Sequence, residues 1–114
     1  MKDQFQSWLD HKSNPTGVLA AGLVYPDKST ISKMFSDVCD EANFDLILAA
    51  LIGTLQMAQQ QKFPGTQLRL SFEQYSIHCA FRHDRCCLAL LTEPQLPLIA
   101  STSVERLLEE FQSL

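Results

Sequence analysis

Residues 43–62, NFDLILAALIGTLQMAQQQK, form the longest helical pattern in the chain and decide how the rest must be arranged. At about 100° per residue, apolar side chains three and four residues apart form one stripe suited to a core. This stripe comprises Phe44, Ile47, Leu48, Leu51, Leu55 and Ala58. The opposite face is also uncharged, although a helix on the surface of a monomer should carry Lys, Glu or Arg there. The second face comprises Leu46, Ala49, Ala50, Gly53 and Met57.

This pattern predicts a helix that is buried on two sides. No residue between Leu46 and Gln61 is charged, and small side chains let another backbone come close. Gly53 in the helix interior costs about 1 kcal/mol relative to Ala, which is explained if something packs tightly against it. We predict that one face covers the chain's own sheet and the other meets a partner. The alternative is that the terminal helix or residues 96–100 cover the second face within the same chain.

Length and composition indicate one globular domain in residues 1–114, with 46% hydrophobic and 19% charged residues. A net charge of −4 and a pI near 5.2 argue against nucleic acid, because phosphate binding needs a basic stripe. No apolar run has the length of a membrane span. The first residues, MKDQFQSWLDHK, are amphipathic and include two acids, so we expect neither a signal peptide nor a transit peptide there. We expect a cytoplasmic protein that binds no nucleic acid.

Working outward from the long helix, the chain alternates between short apolar segments and turns. Residues 1–12 predict an amphipathic N-terminal helix, and residues 18–25 and 30–35 predict two strands. The long helix begins at Asn43, or earlier at Ser36 or Asp40. Residues 68–73, 75–81 and 86–91 predict three more strands, and residues 96–100 an apolar loop. Thr102 to Glu105 fit a capping box that starts the last helix.

The strands at residues 18–25 and 86–91 are apolar on both faces, so they should be neighbours in the middle of the sheet with helices on both sides. The predicted fold is therefore α+β, with three α/β/α layers. A five-stranded antiparallel sheet carries the long helix on one face and the terminal helices on the other. Whichever of residues 30–35 and 68–73 lies at an edge has unpaired backbone groups that another chain can use.

The reactive side chains form no recognisable centre. Four cysteines, at positions 39, 79, 86 and 87, lack the spacing of a zinc site, and reduced thiols are expected. Cys79 and His78 are neighbours on a strand and face opposite ways, so they make a poor nucleophile and base. His83 lies in a predicted turn. We predict no catalytic, metal-binding or cofactor-binding residues, and a protein that is not an enzyme.

The order of elements and the segments AALIGTLQMAQQ and QLRLSFEQYSIHCAFRHDRCCLALL resemble the Roadblock family, which includes dynein light chains and bacterial regulators of Ras-like GTPases. The resemblance covers residues 17–114, a Roadblock-like core preceded by the helix at residues 1–12. It implies a Roadblock/profilin-like fold, homodimers or heterodimers with a related chain, no catalytic residues, and a small Ras-like GTPase as partner. Family members pair their central helices and their third strands. By position, that contact uses Leu46, Ala49, Ala50, Gly53 and Met57 on the helix and Leu68, Leu70 and Phe72 on the strand.

Two points keep the functional assignment open. Family members usually have Gly in the hairpins after the first, third and fourth strands, whereas this chain has other residues there. A small-molecule sensor of the PAS or profilin type is the alternative, because such domains also have helices on both faces of a sheet. Ala20, Ala21 and Gly22 in a central strand would leave room for a ligand, but no polar anchor lies beside them in the sequence.

Overall fold

The computed structural model describes residues 2–12, 16–37, 40–60, 67–82 and 84–114. The elements, in chain order, are α1 (Lys2–Asp10), β1 (Val18–Val24), β2 (Thr30–Met34), α2 (Glu41–Gln60), β3 (Gln67–Ser71), β4 (Ser76–Phe81), β5 (Cys87–Thr92) and α3 (Leu98–Ser113). The five strands form one sheet in the order β2-β1-β5-β4-β3, and each neighbouring pair is antiparallel. The predicted α+β class is confirmed.

The two strands that are apolar on both faces lie side by side in the centre, as predicted. β1 pairs with β5 from Val18 to Val24, with one register shift between Val18 and Ala20. All of β5 and all of β1 except Leu19 are buried. The more polar strands β2 and β3 lie at the edges, and β4 lies between β5 and β3. Central strands can be apolar on both faces only because helices exclude water from each side.

The two faces of the sheet bury separate cores, and the helices divide between them as predicted. α1 and α3 cover one face. The largest fully buried side chains of that core are Phe5, Phe111, Leu23, Leu88, Leu90 and Val104. α2 covers the other face. Its core contains Ala20, Val24, Phe44, Leu48, Leu51, Ile77, Cys79, Cys87, Ala89 and Leu91.

Arg82 holds the layer of α1 and α3 together. Its guanidinium carbon lies 5.0 Å from the ring centroid of Phe5 and 5.7 Å from that of Phe111. Nη1 donates a hydrogen bond of 2.7 Å to the Phe111 carbonyl, and Nε contacts Asp84 Oδ2 at 3.2 Å. Lys33 of β2 fixes the end of α1, because its ammonium group donates to the carbonyls of Leu9, Asp10 and Lys12 at 3.1, 2.9 and 2.7 Å.

α2 begins at Glu41, two residues before the position of Asn43. Asp40 caps the helix, because its Oδ1 accepts a hydrogen bond of 2.7 Å from the Asn43 N–H. The first helical bond runs from the Phe44 N–H to the Asp40 carbonyl at 3.0 Å. The prediction of Asn43 as the cap is therefore wrong, and the alternative start at Asp40 is confirmed.

α3 begins at Leu98, so the predictions of a loop at residues 96–100 and of a capping box at Thr102 are wrong. Pro97 occupies the N-cap position with φ −57° and ψ 158°, so its backbone is still extended and the helix starts at the next residue. The Thr102 hydroxyl instead donates to the Leu98 carbonyl at 3.0 Å, inside the helix. The prediction failed because the capping pattern at Thr102 is a stronger signal for a helix start than a proline followed by apolar residues.

Candidate interaction surface on α2 and β3

The outer flank of α2, defined here as Leu46, Ala49, Ala50 and Gly53, is open to solvent. The Leu46 side chain is 69% exposed, and the three smaller residues are exposed as well. α3 packs on the opposite face of the sheet, and residues 96–100 lead into that helix. Neither segment covers the flank, so the alternative of an intramolecular cover is wrong.

Gly53 packs against none of the residues that the structure describes outside its own helix. A Cβ built at this position would meet no atom within 4 Å. Ala at this position would therefore fit, and would favour the helix by about 1 kcal/mol. Contacts within one copy of the chain do not account for glycine here.

Gly22, unlike Gly53, is closely packed against another side chain, so little room for a ligand remains beside it. A Cβ on Gly22 would lie 2.7 Å from Cδ1 of Leu48, so the Leu48 side chain fills the space beside this glycine. Ala20 and Ala21 are 0% and 1% exposed. Ala20 and Gly22 face α2, and Leu48 of that helix fills the space beside Gly22, whereas Ala21 faces the core beneath α1 and α3. No cavity between the sheet and a helix is therefore seen beside Gly22.

A groove of about 310 Å³ separates α2 from the hairpin of β3 and β4. Its lining carries no charged residue and comprises Leu46, Ile47, Ala50, Leu51, Thr54, Leu70, Phe72, Tyr75 and Ile77. A second depression of about 480 Å³ shares Leu46, Ile47 and Tyr75 with the groove. The flank, the groove and β3 therefore form one continuous surface, called the α2–β3 surface below.

The structure brings four of the eight predicted interface residues around this groove: Leu46, Ala50, Leu70 and Phe72. Ala49 and Gly53 lie on the exposed side of the same helix. Leu68 is half-buried on the face of β3 that looks toward α2. The side chain of Met57 lies outside the described residues. Ile47, Leu51 and Ile77, which were predicted as core residues, also line the groove. Tyr75 and Thr54 were missed, because Tyr75 belonged to an alternating core pattern and Thr54 is polar.

The outer edge of β3 offers unpaired backbone groups. The Phe72 N–H donates to the Tyr75 carbonyl at 2.9 Å, which continues the β3–β4 ladder. Alternate residues of an antiparallel ladder bond to the same neighbour. Leu68, Leu70 and Phe72 therefore bond toward β4, whereas Gln67, Arg69 and Ser71 direct their N–H and C=O groups away from it.

The titratable side chains of His78 and Cys86 are hydrogen-bonded or buried within the fold. Nε2 of His78 lies 3.1 Å from the Thr92 hydroxyl, which itself donates to the Glu93 carbonyl, so Nε2 is the donor. Burial, and then the nearby charge of Arg69, lower the pKa of His78. Burial raises the pKa of the Cys86 thiol to about 11. His83 and Cys39 lie outside the described residues.

Cys79 and Cys87 both point into the core beneath α2, whereas Cys86 points to the other core. A hydrogen bond with Cys79, together with burial, raises the pKa of Cys87. Protonated, buried thiols are poor nucleophiles and poor metal ligands. Among the residues that the structure describes, no three His, Cys, Asp or Glu side chains are placed to hold a metal ion.

Leu98 and Ile99, at the start of α3, are 83% and 78% exposed. The sequence reading missed this apolar pair, because it placed both residues in a loop. They lie on the outer side of α3, whose inner side is buried through Ala100, Val104, Leu107, Leu108 and Phe111. No helix in the described part of the chain is both long enough and apolar enough to cross a membrane.

The layers and the strand order define an α+β domain with the Roadblock fold. Among solved structures, MglB of Myxococcus xanthus shares this fold with a TM-score of 0.56 and 14% sequence identity, over 88% of each chain. No family model matches the sequence. No curated protein matches it either. The predicted Roadblock resemblance is thus confirmed at the level of the fold.

Proposed function

We propose that residues 1–114 form a single Roadblock-like domain that acts as a non-catalytic, dimeric scaffold or regulator in the cytoplasm. Two copies, or one copy and a related chain, meet through the α2–β3 surface. The paired helices and the joined sheet then bind a small Ras-like GTPase. One observation carries this proposal: the flank of α2 is apolar, uncharged and open in the single chain.

Exposure of that apolar flank to water has a free-energy cost. Removing apolar surface from water contributes about 25 cal/mol per Å² of stabilising free energy. Burial of the exposed stripe of Leu and Ala would therefore favour binding of a partner. Gly53 supports a close approach of two backbones, because its helix-weakening effect has no cause inside the chain. The edge of β3 supports strand pairing beside the helices.

The GTPase as partner rests on the Roadblock resemblance, whose bacterial members include regulators of Ras-like GTPases, and on the fold shared with MglB. The proposed absence of a catalytic role is supported by the surroundings of two cysteines, because burial raises the pKa of Cys86, and a hydrogen bond with Cys79 and burial raise that of Cys87, so neither is an activated nucleophile. In this proposal the protein acts by binding a partner through a surface, not by catalysis.

The partner is tested by affinity capture from extracts of the source organism that contain either GDP or a non-hydrolysable GTP analogue. Wild-type protein should retain a Ras-like GTPase in at least one nucleotide state, and Gly53→Glu should lose it. Gln95→Glu adds the same charge at an exposed loop residue and should retain it. If the wild-type protein recovers no GTPase in either state, the proposed GTPase partner is wrong.

A further inference from the structure

We propose that two neighbouring hairpin turns at one end of the sheet bind an acidic segment of a partner protein through Lys28 and Arg85. This surface, called the hairpin tips below, comprises the β1–β2 turn at residues 25–29 and the β4–β5 turn at residues 82–86. The tips lie at the opposite end of β4 from Tyr75 and the groove. The inference therefore goes beyond the proposed function and does not depend on it.

The β1–β2 turn is a three-residue hairpin loop. The Tyr25 N–H donates to the Ser29 carbonyl, and the Lys28 N–H donates to the Tyr25 carbonyl, both at 2.9 Å. Asp27 Oδ1 accepts hydrogen bonds from the Ser29 N–H at 3.0 Å and from the Ser29 hydroxyl at 2.6 Å. Lys28 has a φ of 71°, in the left-handed region. Hairpin loops of this type normally place glycine there, because glycine has no Cβ to clash with the backbone.

The β4–β5 turn repeats this construction. The Arg82 N–H donates to the Cys86 carbonyl, and the Arg85 N–H donates to the Arg82 carbonyl, both at 3.0 Å. Asp84 Oδ1 accepts a hydrogen bond of 3.1 Å from the Cys86 N–H, and Arg85, like Lys28, has a φ of 71°. A long basic residue thus occupies the left-handed position of both turns, where glycine would cost less free energy.

The sheet places the two turns side by side. β1 and β5 are neighbours, and Val24 at the end of β1 pairs with Cys87 at the start of β5. Lys28 and Arg85 are both exposed. Within the part of the chain that the structure describes, neither side chain has an ion-pair or hydrogen-bond partner. Because the backbone would favour glycine and no contact within the described chain accounts for the two cations, we attribute them to a partner.

Charge determines the kind of partner. The two turns together carry a net charge of +1, whereas the whole chain carries −4. Arg82 compensates Asp84, because its Nε lies 3.2 Å from Oδ2 of that carboxylate. Asp27 accepts two hydrogen bonds within its own turn. Lys28 and Arg85 are therefore placed to attract an anion. A guanidinium binds a carboxylate through two parallel hydrogen bonds, and an ammonium adds a less directional contact with a second carboxylate.

The carboxylates of a protein segment fit the tips better than a phosphate or a lipid surface does. Phosphate sites in turns use several backbone N–H groups that point into one concavity. In the hairpin tips, the N–H groups at positions 25, 28, 29, 82, 85 and 86 are already bonded within the turns. Attraction to an anionic membrane takes clusters of about 4–8 basic residues, whereas the tips present only Lys28 and Arg85 as exposed cations among the described residues.

An NMR titration with a capped hexaglutamate peptide tests this surface. On the wild-type protein, the largest amide shifts should fall on residues 25–29 and 82–86 together, and they should decrease as salt is added. The double variant Lys28→Gln/Arg85→Gln should bind about tenfold more weakly, and Arg106→Gln, which removes an exposed charge on α3, should change the affinity by less than about twofold. Shifts that avoid the tips, or equal binding by the double variant, would overturn the proposal.

Glycine variants separate the charge from the backbone. Lys28→Gly and Arg85→Gly remove a charge and also relieve the left-handed conformation, so each should weaken peptide binding by about threefold and raise the urea midpoint by about 0.5 M. The glutamine variants keep the left-handed conformation and should not raise the midpoint. If glycine brings no such rise, these cations are not held at a cost and the inference loses its basis.

Two further titrations distinguish the sources of negative charge. Inorganic phosphate and vesicles that contain phosphatidylserine replace the peptide under the same conditions. Both should shift the signals of the tips less than the peptide does at equal concentration of negative charge. A larger effect of either would contradict a protein segment as the partner.

Discussion

Leu48 of α2 lies directly over Gly22 of β1, so close that a Cβ on Gly22 would fall 2.7 Å from one methyl group of Leu48 and 2.8 Å from the other. Leu48 is 1% exposed and belongs to the core beneath α2. This contact fixes the inner face of α2 on the sheet and leaves the outer flank of the same helix for a partner.

Gly22→Ala is therefore expected to destabilise the fold by about 1–3 kcal/mol, because extra atoms in a packed core force neighbours out of place. Leu48→Ala should cost about 2–5 kcal/mol through the cavity it leaves. In the double variant the two effects should partly cancel, because the new methyl group enters the space that Leu48 vacates. Urea unfolding of all four proteins measures the coupling, and strictly additive losses would show that the contact does not matter.

Gly53→Leu should preserve the fold and prevent dimer formation. The position is open in the single chain, where a Cβ would meet no atom within 4 Å, so a larger side chain can extend into solvent. It introduces no charge, and thus tests steric exclusion of a partner backbone alone. Circular dichroism should show no loss of helix, while analytical ultracentrifugation should show a monomer. Thr102→Leu, at an exposed residue of α3, is the matched control and should remain dimeric.

Arg82→Met should destabilise the protein by about 1.5–3 kcal/mol, because it removes the charge-assisted hydrogen bond to the Phe111 carbonyl and leaves the partly buried Asp84 carboxylate without its ion-pair partner. The Arg82 side chain is only 8% exposed. Trp8 fluorescence should also change, since its ring lies 6.0 Å from that of Phe111, which Arg82 contacts.

Lys12→Met removes a more exposed ion pair with Glu110 and is the control, expected to cost no more than about 1 kcal/mol. Urea unfolding of both variants provides the comparison. Equal losses for the two would mean that Arg82 does not hold the layer of α1 and α3 together.

His78 should make stability depend on pH in the neutral to mildly acidic range. Its pKa is lowered in the folded chain, first by burial and then by Arg69. The unfolded chain, with a histidine pKa of about 6.5, therefore binds a proton more readily than the folded chain does. Stability is highest above that pKa and falls as the pH decreases through it.

His78→Gln should reduce this loss between pH 7.5 and pH 5.8, measured as the change in the urea midpoint. A variant that loses as much stability as the wild type over this interval would show that another group is responsible. The Arg82–Asp84 pair acts in a different interval: the hydrogen bond from Cys86 and the pairing with Arg82 outweigh burial and lower the pKa of Asp84. Its contribution is therefore lost only as the medium becomes more acidic.

The arrangement of layers could be predicted from the sequence because continuous apolar strands can be buried on both faces in only a few ways. β1 and β5 had to be central, and the two faces of the sheet required helices on both sides. The start of α3 could not be predicted in the same way, since Pro97 had to be weighed against a capping pattern at Thr102. In the folded chain, Ala100 in the first turn of α3 packs closely against Gly17. A Cβ on Gly17 would lie 2.7 Å from that of Ala100.

The candidate surface was predictable in part for a related reason. Residues on one helix face, such as Leu46 and Ala50, share a surface by periodicity alone. Tyr75 reaches the same groove from a separate hairpin, which only the fold brings there. The outward direction of the Arg69 and Ser71 backbone follows from the position of the β3–β4 turn, and local sequence carries no signal for it.

The molar mass in solution is the most direct test of the central claim that a second chain covers the flank of α2. Light scattering on purified protein at micromolar concentration should give twice the chain mass of 12.9 kDa. Gly53→Glu, which places a charge on that flank, should give a single chain mass or insoluble protein, while Gln95→Glu should stay dimeric. A wild-type protein that is monomeric under these conditions would contradict the account.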